Sequence, residues 1–270
     1  MYPEVLREHI QKCKKATTKP FGVNVPLLYP DIEKHLDIIV EEGVKIVFTS
    51  AGNPAKYTAW LKERGITVVH VIANTKFAKK CEEAGVDAIV AEGFEAGGHN
   101  GREETTTLCL VPLIVDTVKI PVIAAGGIGC GRTMAAAICL GASGVQVGSR
   151  FAASVESSAH DKFKEQIIGA KEGSTELTLK EITPVRLLKN PFYDAVEAAY
   201  AAGASLEELK TLLGRGRAKK GMFEGDLESG ELEIGQISAR LDRIETSGEI
   251  VSQMMLEYHE IAGDNPFFGY

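Results

Sequence analysis

The residues whose types and spacing best suit chemistry lie in one short run, Glu92–Gly101 (EGFEAGGHNG), where two carboxylates, a histidine and an asparagine are set among glycines. This run is too polar to be core. A histidine exchanges a proton near neutral pH and can donate to a developing oxyanion, so His99 is the best general acid or base in the chain, preferred over a merely solvated loop histidine. Glu92, Glu95 and His99 as metal ligands is the weaker alternative: no second histidine or cysteine stands nearby at a recognised ligand spacing, and no metal is expected. Two further glycine runs suit an anion. AAGGIGCG places Gly126 and Gly127 just past an apolar run, and QVGSR places Gly148 and Ser149 past the next, with Gln146 two residues earlier. Missing side chains there let backbone N–H groups approach a phosphate. Either run alone is equally well read as a tight turn; together they point to a phosphate-bearing ligand. Asn24 offers a donor and an acceptor to a ring or phosphate, with loop capping an equal alternative. His70 reads as a hydrogen-bonded core histidine and Cys130 as an inert thiol.

Positioning these groups requires a regular scaffold, and from Lys19 to Phe151 the chain repeats one: a helix-like segment ends in glycine, then a short apolar run follows. Gly43 precedes Val44–Ser50, Gly65 precedes Ile66–Ala73, Gly85 precedes Val86–Ala91 and Gly141 precedes Gly144–Gly148. Each glycine suits the left-handed residue that closes a helix. Phe21–Val25 and Pro121–Ala125 add two strands, making six βα units. Asp31, Asn53 and Thr75 mark helix starts. Strands apolar on both faces belong in a parallel sheet covered by helices. The expected fold is therefore α/β, of the (β/α)8 TIM-barrel type with about six strands, and its catalytic groups should gather where strands run into loops. After Phe151 the pattern changes to helix-like Ser157–Ala170, a strand Val185–Leu188, helices Ala195–Ala202 and Leu206–Leu213, a Gly-, Arg- and Lys-rich connection Gly214–Gly221, and a closing helix of about Ser238–Ile261. The domain reading is a barrel over 1–152 with parts of 153–190, a mostly helical cap over 191–262 and a loose tail over 263–270.

Composition narrows the function classes. A net charge of -7 argues against nucleic acid or an anionic membrane as partner. Five cysteines with no Cys-x-x-Cys pair fit a reducing compartment. With no signal-like start and no long apolar stretch, the expectation is a cytoplasmic enzyme.

With these residues placed, the chain resembles the flavoprotein family of nitronate monooxygenases and FMN-dependent enoyl-acyl-carrier-protein reductases II. The likeness runs from about Pro3 to Ile261 and rests on KPFGVNVPLL, TSAGNPAKY, AEGFEAGGHNG, PVIAAGGIG, GVQVGSRF and GMFEGDLESGELEIGQ. The resemblance implies that Asn24, Glu92, Gly97, Gly98, Gly126, Gly127, Gln146, Gly148 and Ser149 contact FMN, and that His99 is the histidine beside the flavin, the base of the nitronate monooxygenases. Glu92 stands where those enzymes typically carry glutamine, and the segment EGDLESGELEIGQ is similar to the reductases. The implied activity is thus enoyl-thioester reduction with NADH or NADPH as co-substrate. The alternatives are nitronate monooxygenase activity, a ligand-binding or inactive remnant, and a non-flavin barrel enzyme taking a phosphorylated metabolite. Family members begin with two further strands ending in glycine-rich turns, so the expected barrel is N-terminally incomplete, with Met1 an internal methionine. A small-molecule or acyl-carrier-protein thioester is the expected substrate, and an open sheet edge favours a homodimer.

Overall fold

The computed structural model describes residues 2–264. In chain order it contains α1 (Pro3–Ala16), β1 (Gly22–Pro26), α2 (Ile32–Glu41), β2 (Ile46–Ser50), α3 (Thr58–Lys62), β3 (Thr67–Ile72), α4 (Thr75–Glu83) and β4 (Ala88–Glu92). A two-residue strand β5 (Gly98–His99) precedes α5 (Thr107–Val115), β6 (Val122–Ala125), α6 (Gly131–Cys139), β7 (Gly144–Gln146) and the one-turn α7 (Ser149–Ala152). Six strands form one sheet in the order β1-β2-β3-β4-β6-β7, with β1 through β4 paired parallel in sequence order. The fold is α/β of the TIM-barrel type, with six strands in place of eight. Gly43, Gly65, Gly85 and Gly141 all carry the positive φ expected of helix-closing residues.

The chain divides into two compact units. The first comprises residues up to Ala91 together with Leu113–Ile123. Its inner strands β3 and β4 are covered on both faces, with Val68, Val69, His70 and Ile72 of β3 all buried, and α2 buries Ile32, Leu36 and Ile39, whereas β1 is exposed at Gly22 and Asn24. Each such aliphatic side chain contributes about 1.5–3 kcal/mol on burial. His70 is the core histidine expected: its Nδ1 lies 2.6 Å from the Thr49 hydroxyl, and burial pushes the ring down to about 4, so it is neutral. Helix starts differ in detail from expectation. Asn74, not Thr75, caps α4 by accepting from the Phe77 N–H (2.9 Å), and Asp31 makes no side-chain cap bond.

The second unit comprises Glu92–Pro112 and the chain from Ala124 onward. Beyond α7 it adds α8 (Asp161–Gly169), β8 (Thr175–Thr178), β9 (Val185–Leu188), α9 (Pro191–Ala201), α10 (Leu206–Leu213), α11 (Arg217–Glu224) and α12 (Ser247–Asp264). The strand β9 was expected, but its two partners were not: β5, β9 and β8 form a small antiparallel sheet in that spatial order. The stretch read as a basic connection folds as α11, and the last helix begins nine residues later than its pattern suggested and reaches Asp264, so Gly263 and Asp264 are helical. The remainder of the expected tail, 265–270, lies outside the described residues. A second apolar cluster, Phe163, Ile167, Leu188, Leu232 and Ile234, anchors the segment that follows α11. Among the described residues no helix is long and apolar enough to cross a membrane.

Candidate active site

The run Glu92–Gly101 is not a flexible loop. Its first backbone N–H after β4, on Gly93, donates to the Ala125 carbonyl at the end of β6 (2.9 Å), and Phe94 N–H donates to Thr105 (2.9 Å). The Asn100 amide donates to the carbonyls of Ala96 (2.9 Å) and Gly98 (3.0 Å). Arg186, on β9 and only 1% exposed, donates through Nε and Nη2 to the Phe94 carbonyl (3.2 and 3.1 Å) and stacks over the Phe94 ring, 4.4 Å from its centroid. Its Nη1 donates to the Thr175 hydroxyl on β8 (3.4 Å), and a buried guanidinium with all these partners holds its loop rigidly. The Glu95 carboxylate, one of the candidate metal ligands, instead accepts from the N–H and hydroxyl of Thr107, each at 2.9 Å, at the start of α5. Among the described residues no group of three His, Cys, Asp or Glu is arranged to hold a metal ion.

At the other side of the run lies a segment that the family resemblance included but that was not read as part of the site. Residues Glu231–Gln236 (ELEIGQ) lay alongside β9 through the bridge Leu187–Glu233, and Gln236 N–H donates to the Glu95 carbonyl (3.0 Å). The alternation of acidic and apolar residues was the available signal, with Leu232 and Ile234 turned into the core.

Between this segment and the strand ends lies a cavity of about 250 Å³, lined by Glu92, Glu95, Ala96, Gly97, Ala125, Gly126, Gly127, Ile128, Gln146, Gly148, Ser149, Ala152, Glu233, Ile234 and Ile237. Seven residues singled out for cofactor contact, Glu92, Gly97, Gly126, Gly127, Gln146, Gly148 and Ser149, therefore share one wall system. Gly98 stands just behind Glu233. His99 is exposed, on β5 opposite Val185, and is not among the lining residues. Asn24 is exposed on β1 in the first unit, in register with Phe48. A wider depression of about 470 Å³ around Gln166, Gly173 and Lys189 gathers none of these groups.

The glycine cradle fits a phosphate. Gly126 has φ 93°, and an added Cβ would stand 2.8 Å from the Gly93 carbonyl, so the turn is open only to glycine; at Gly148 nothing lies within 4 Å of where a side chain would start. Backbone thus borders the cavity at consecutive strand ends, as a phosphate-binding cradle requires. The Ser149 hydroxyl accepts from Gly235 N–H (3.0 Å), which leaves its proton available to an anion.

Three carboxyls nearby are displaced from the ordinary range. Burial pushes Glu92 up to about 7 and raises Glu233. Burial and the neighbouring Glu233 push Glu231 up to about 7, against the pull of His99 and Arg217. Raised carboxyls in a cleft are groups suited to proton transfer near neutrality. The Glu92 displacement carries a stability prediction. Its folded value lies above the unfolded one, so its contribution is fully present below about pH 4.5 and is lost as pH rises through about 7. After allowing for partial exposure to the cavity, the loss is about 2–3 kcal/mol. Glu92→Gln should abolish this slope, making the cofactor-free variant more stable than the wild type in urea at pH 8 and little different at pH 4.5.

A family model described as nitronate monooxygenase matches residues 29–257. The chain is 30% identical, over 93% of its length and 81% of the relative, to (3aS,4S,5R,7aS)-5-hydroxy-7a-methyl-1-oxo-octahydro-1H-indene-4-carboxyl-CoA dehydrogenase of Rhodococcus jostii (strain RHA1). It is 36% identical to a probable nitronate monooxygenase of Staphylococcus saprophyticus, covering 68% of this chain and 56% of that one. Among solved structures, FabK from Thermotoga maritima superposes with a TM-score of 0.90 at 41% identity, covering 97% of this chain and 83% of FabK. The nitroalkane oxidase of Streptomyces ansochromogenes superposes with a TM-score of 0.80 at 26% identity, over 96% and 86% of the two chains.

Proposed function

The chain belongs to the nitronate monooxygenase family and is an FMN-dependent oxidoreductase, and from that premise we propose that it reduces the carbon–carbon double bond of enoyl thioesters, with NADH or NADPH as electron source. The observation that carries this reading is the 41% identity to FabK, an enoyl-acyl-carrier-protein reductase, sustained over 97% of the chain. Glu92 in place of the glutamine typical of nitronate monooxygenases supports it, as does the carboxyl-CoA substrate in the name of the Rhodococcus relative.

In this reading Gly126, Gly127, Gly148 and Ser149 would hold the cofactor phosphate, and Glu92, Gly97 and Gln146, in the same lining, would contact the rest of the group. Bound FMN would supply the hydride chemistry, and the protein supplies orientation and electrostatics. The Glu92 carboxyl, protonated below about pH 7, can donate a hydrogen bond where a carboxylate would repel electron density. His99, at the edge of β5, assists protonation of the substrate. An acyl-carrier-protein or small-molecule thioester is the substrate class, and a homodimer the working assembly.

A second reading, oxidation of alkyl nitronates with oxygen, is favoured by the family-model match and the Staphylococcus relative. One assay separates the two. FMN-loaded protein with NADH is expected to consume a crotonyl thioester; failure there, with oxygen uptake on propionate 3-nitronate, overturns the reductase reading.

A further inference from the structure

Hydride addition to the β-carbon of an enoyl thioester leaves the electron pair of the C=C bond on the α-carbon and thioester oxygen, so a proton must form the second C–H bond. His99 is outside the cavity lining, and the group that delivers this proton has to face the cavity. Resting on the reductase reading above, we propose that Glu233 is the acid that protonates the substrate α-carbon, and that His99 reloads it from solvent.

The geometry rests on β9. Val185 pairs with His99, Arg186 with Gly98 and Leu187 with Glu233. His99 and Glu233 therefore stand two residues apart along the same edge of β9, their backbones about 7 Å apart along it. Gly98 lies between them, and its missing side chain leaves the Glu233 carboxyl its room: a Cβ on Gly98 would stand 2.9 Å from Glu233 Oε2. Glu233 thus reaches the cavity wall beside Ile234, while His99 at the other end is open to water. Burial keeps the Glu233 acid protonated to higher pH than an ordinary carboxyl. The charged and titratable groups near it are Glu92 and Glu95 in the same cavity lining, Glu231 on its own segment, and, along the β9 edge, His99 on β5 and Arg186 on β9, while the pull of His99 and of Arg217 at the start of α11 falls on Glu231. The step balances: the Glu233 O–H bond breaks as the α-C–H bond forms, the electron pair left by hydride addition makes that bond, and the carboxylate regains a proton through His99 from water.

The test compares Glu233→Gln, Glu233→Asp and Glu231→Gln with wild-type protein, each loaded with FMN and assayed with NADH and a crotonyl thioester across pH. In the wild type kcat should fall as pH rises through the Glu233 value. Glu233→Gln is expected to retain stoichiometric FMN absorbance, to lose about 10²-fold in kcat and to lose that alkaline limb, because the amide cannot act as an acid. Glu233→Asp, which keeps the carboxyl, should recover the limb, and Glu231→Gln should keep it. An FMN-loaded Glu233→Gln with wild-type kcat and pH profile overturns the proposal, as does a Glu231→Gln that abolishes the limb. A wild-type protein inactive on the thioester overturns the reductase reading, and this role with it.

Discussion

Gly97→Ala is expected to cost about 4 kcal/mol or more and to yield a protein that holds no FMN, although it adds one methyl group to a residue with no catalytic atom. A Cβ at Gly97 would stand 2.5 Å from the Gly235 nitrogen and closer still to the Ile234 carbonyl carbon. These are backbone atoms, and neither can yield. Ile234 is 3% exposed and packed with Phe163, Ile167, Leu188 and Leu232, and the chain beyond it is tied by Gln236 N–H to the Glu95 carbonyl and by Gly235 N–H to the Ser149 hydroxyl. Close-packed interiors turn such an overlap into displacement of whole segments, beyond the 1–3 kcal/mol of ordinary overpacking. The displaced segment carries Glu233, Ile234 and Ile237, a full wall of the cavity. Urea unfolding and the flavin absorbance of purified protein measure the two effects. Gly148→Ala is the control, because nothing lies within 4 Å of its would-be Cβ. Gly148 is the N-cap of α7, where alanine is poorer than glycine, so the change should cost under about 1 kcal/mol while narrowing the cavity wall. If Gly97→Ala matches the wild type in urea, the loop and the 231–236 segment are not interlocked as described.

What was legible in the sequence follows from where each signal resides. Strands β3, β4 and β6 declared themselves because strands buried on both faces need unbroken apolar runs, while β2 and β7 were marked mainly by the glycines ahead of them; all four such glycines have the left-handed backbone that spacing alone implied. That Gly126 and Gly148 line one cavity was legible because consecutive parallel strands end on one side of the sheet, so two glycine turns one βα unit apart become neighbours. The wall built by Glu233, Ile234 and Ile237 was not, although the family resemblance included its residues. It depends on pairing across more than a hundred residues between Gly98 and Glu233, through β9, and no local periodicity encodes that. Arg186 was hidden for the opposite reason. Its strand reads as apolar, and only the structure places the Phe94 carbonyl and ring where they satisfy a buried guanidinium. His99 illustrates the limit of residue type as a signal: it was chosen for its chemistry, and the fold sets it at an exposed strand edge with an acid, Glu233, on the cavity side.

The same long-range logic makes Arg150 the most consequential charged residue outside the cavity. It stands one residue after Ser149, and its side chain is only 12% exposed. Nη1 donates to the Gly129 carbonyl (2.9 Å), at the end of the first cradle loop, and Nη2 donates to Glu245 (2.8 Å) and to Gln253 on α12 (2.7 Å). One guanidinium therefore fixes the two glycine loops to each other and to the last helix. Burial tends to raise the Glu245 carboxyl, but hydrogen bonds from Arg150, Arg243 and Gln253 hold it below the ordinary range. Removing Arg150 leaves a 9% exposed carboxylate with only Arg243 and Gln253 to hold it, and losing a charged hydrogen bond of this kind costs about 1.5–3 kcal/mol. Arg150→Ala should therefore lose that amount in urea at pH 7 and bind FMN more weakly. Arg150→Lys keeps the charge but not the fork and should recover only part. The sign of the pH dependence is fixed by the lowered Glu245 value: the pair's contribution is present above the unfolded carboxyl pKa and is lost as pH falls through the folded one. The gap between wild type and Arg150→Ala should consequently narrow in acid, and Arg150→Met combined with Glu245→Met should lose less than either single change. A gap that stays constant from pH 7 to pH 3 would mean that Arg150 acts through the Gly129 carbonyl and its packing alone, with no energetic share from Glu245.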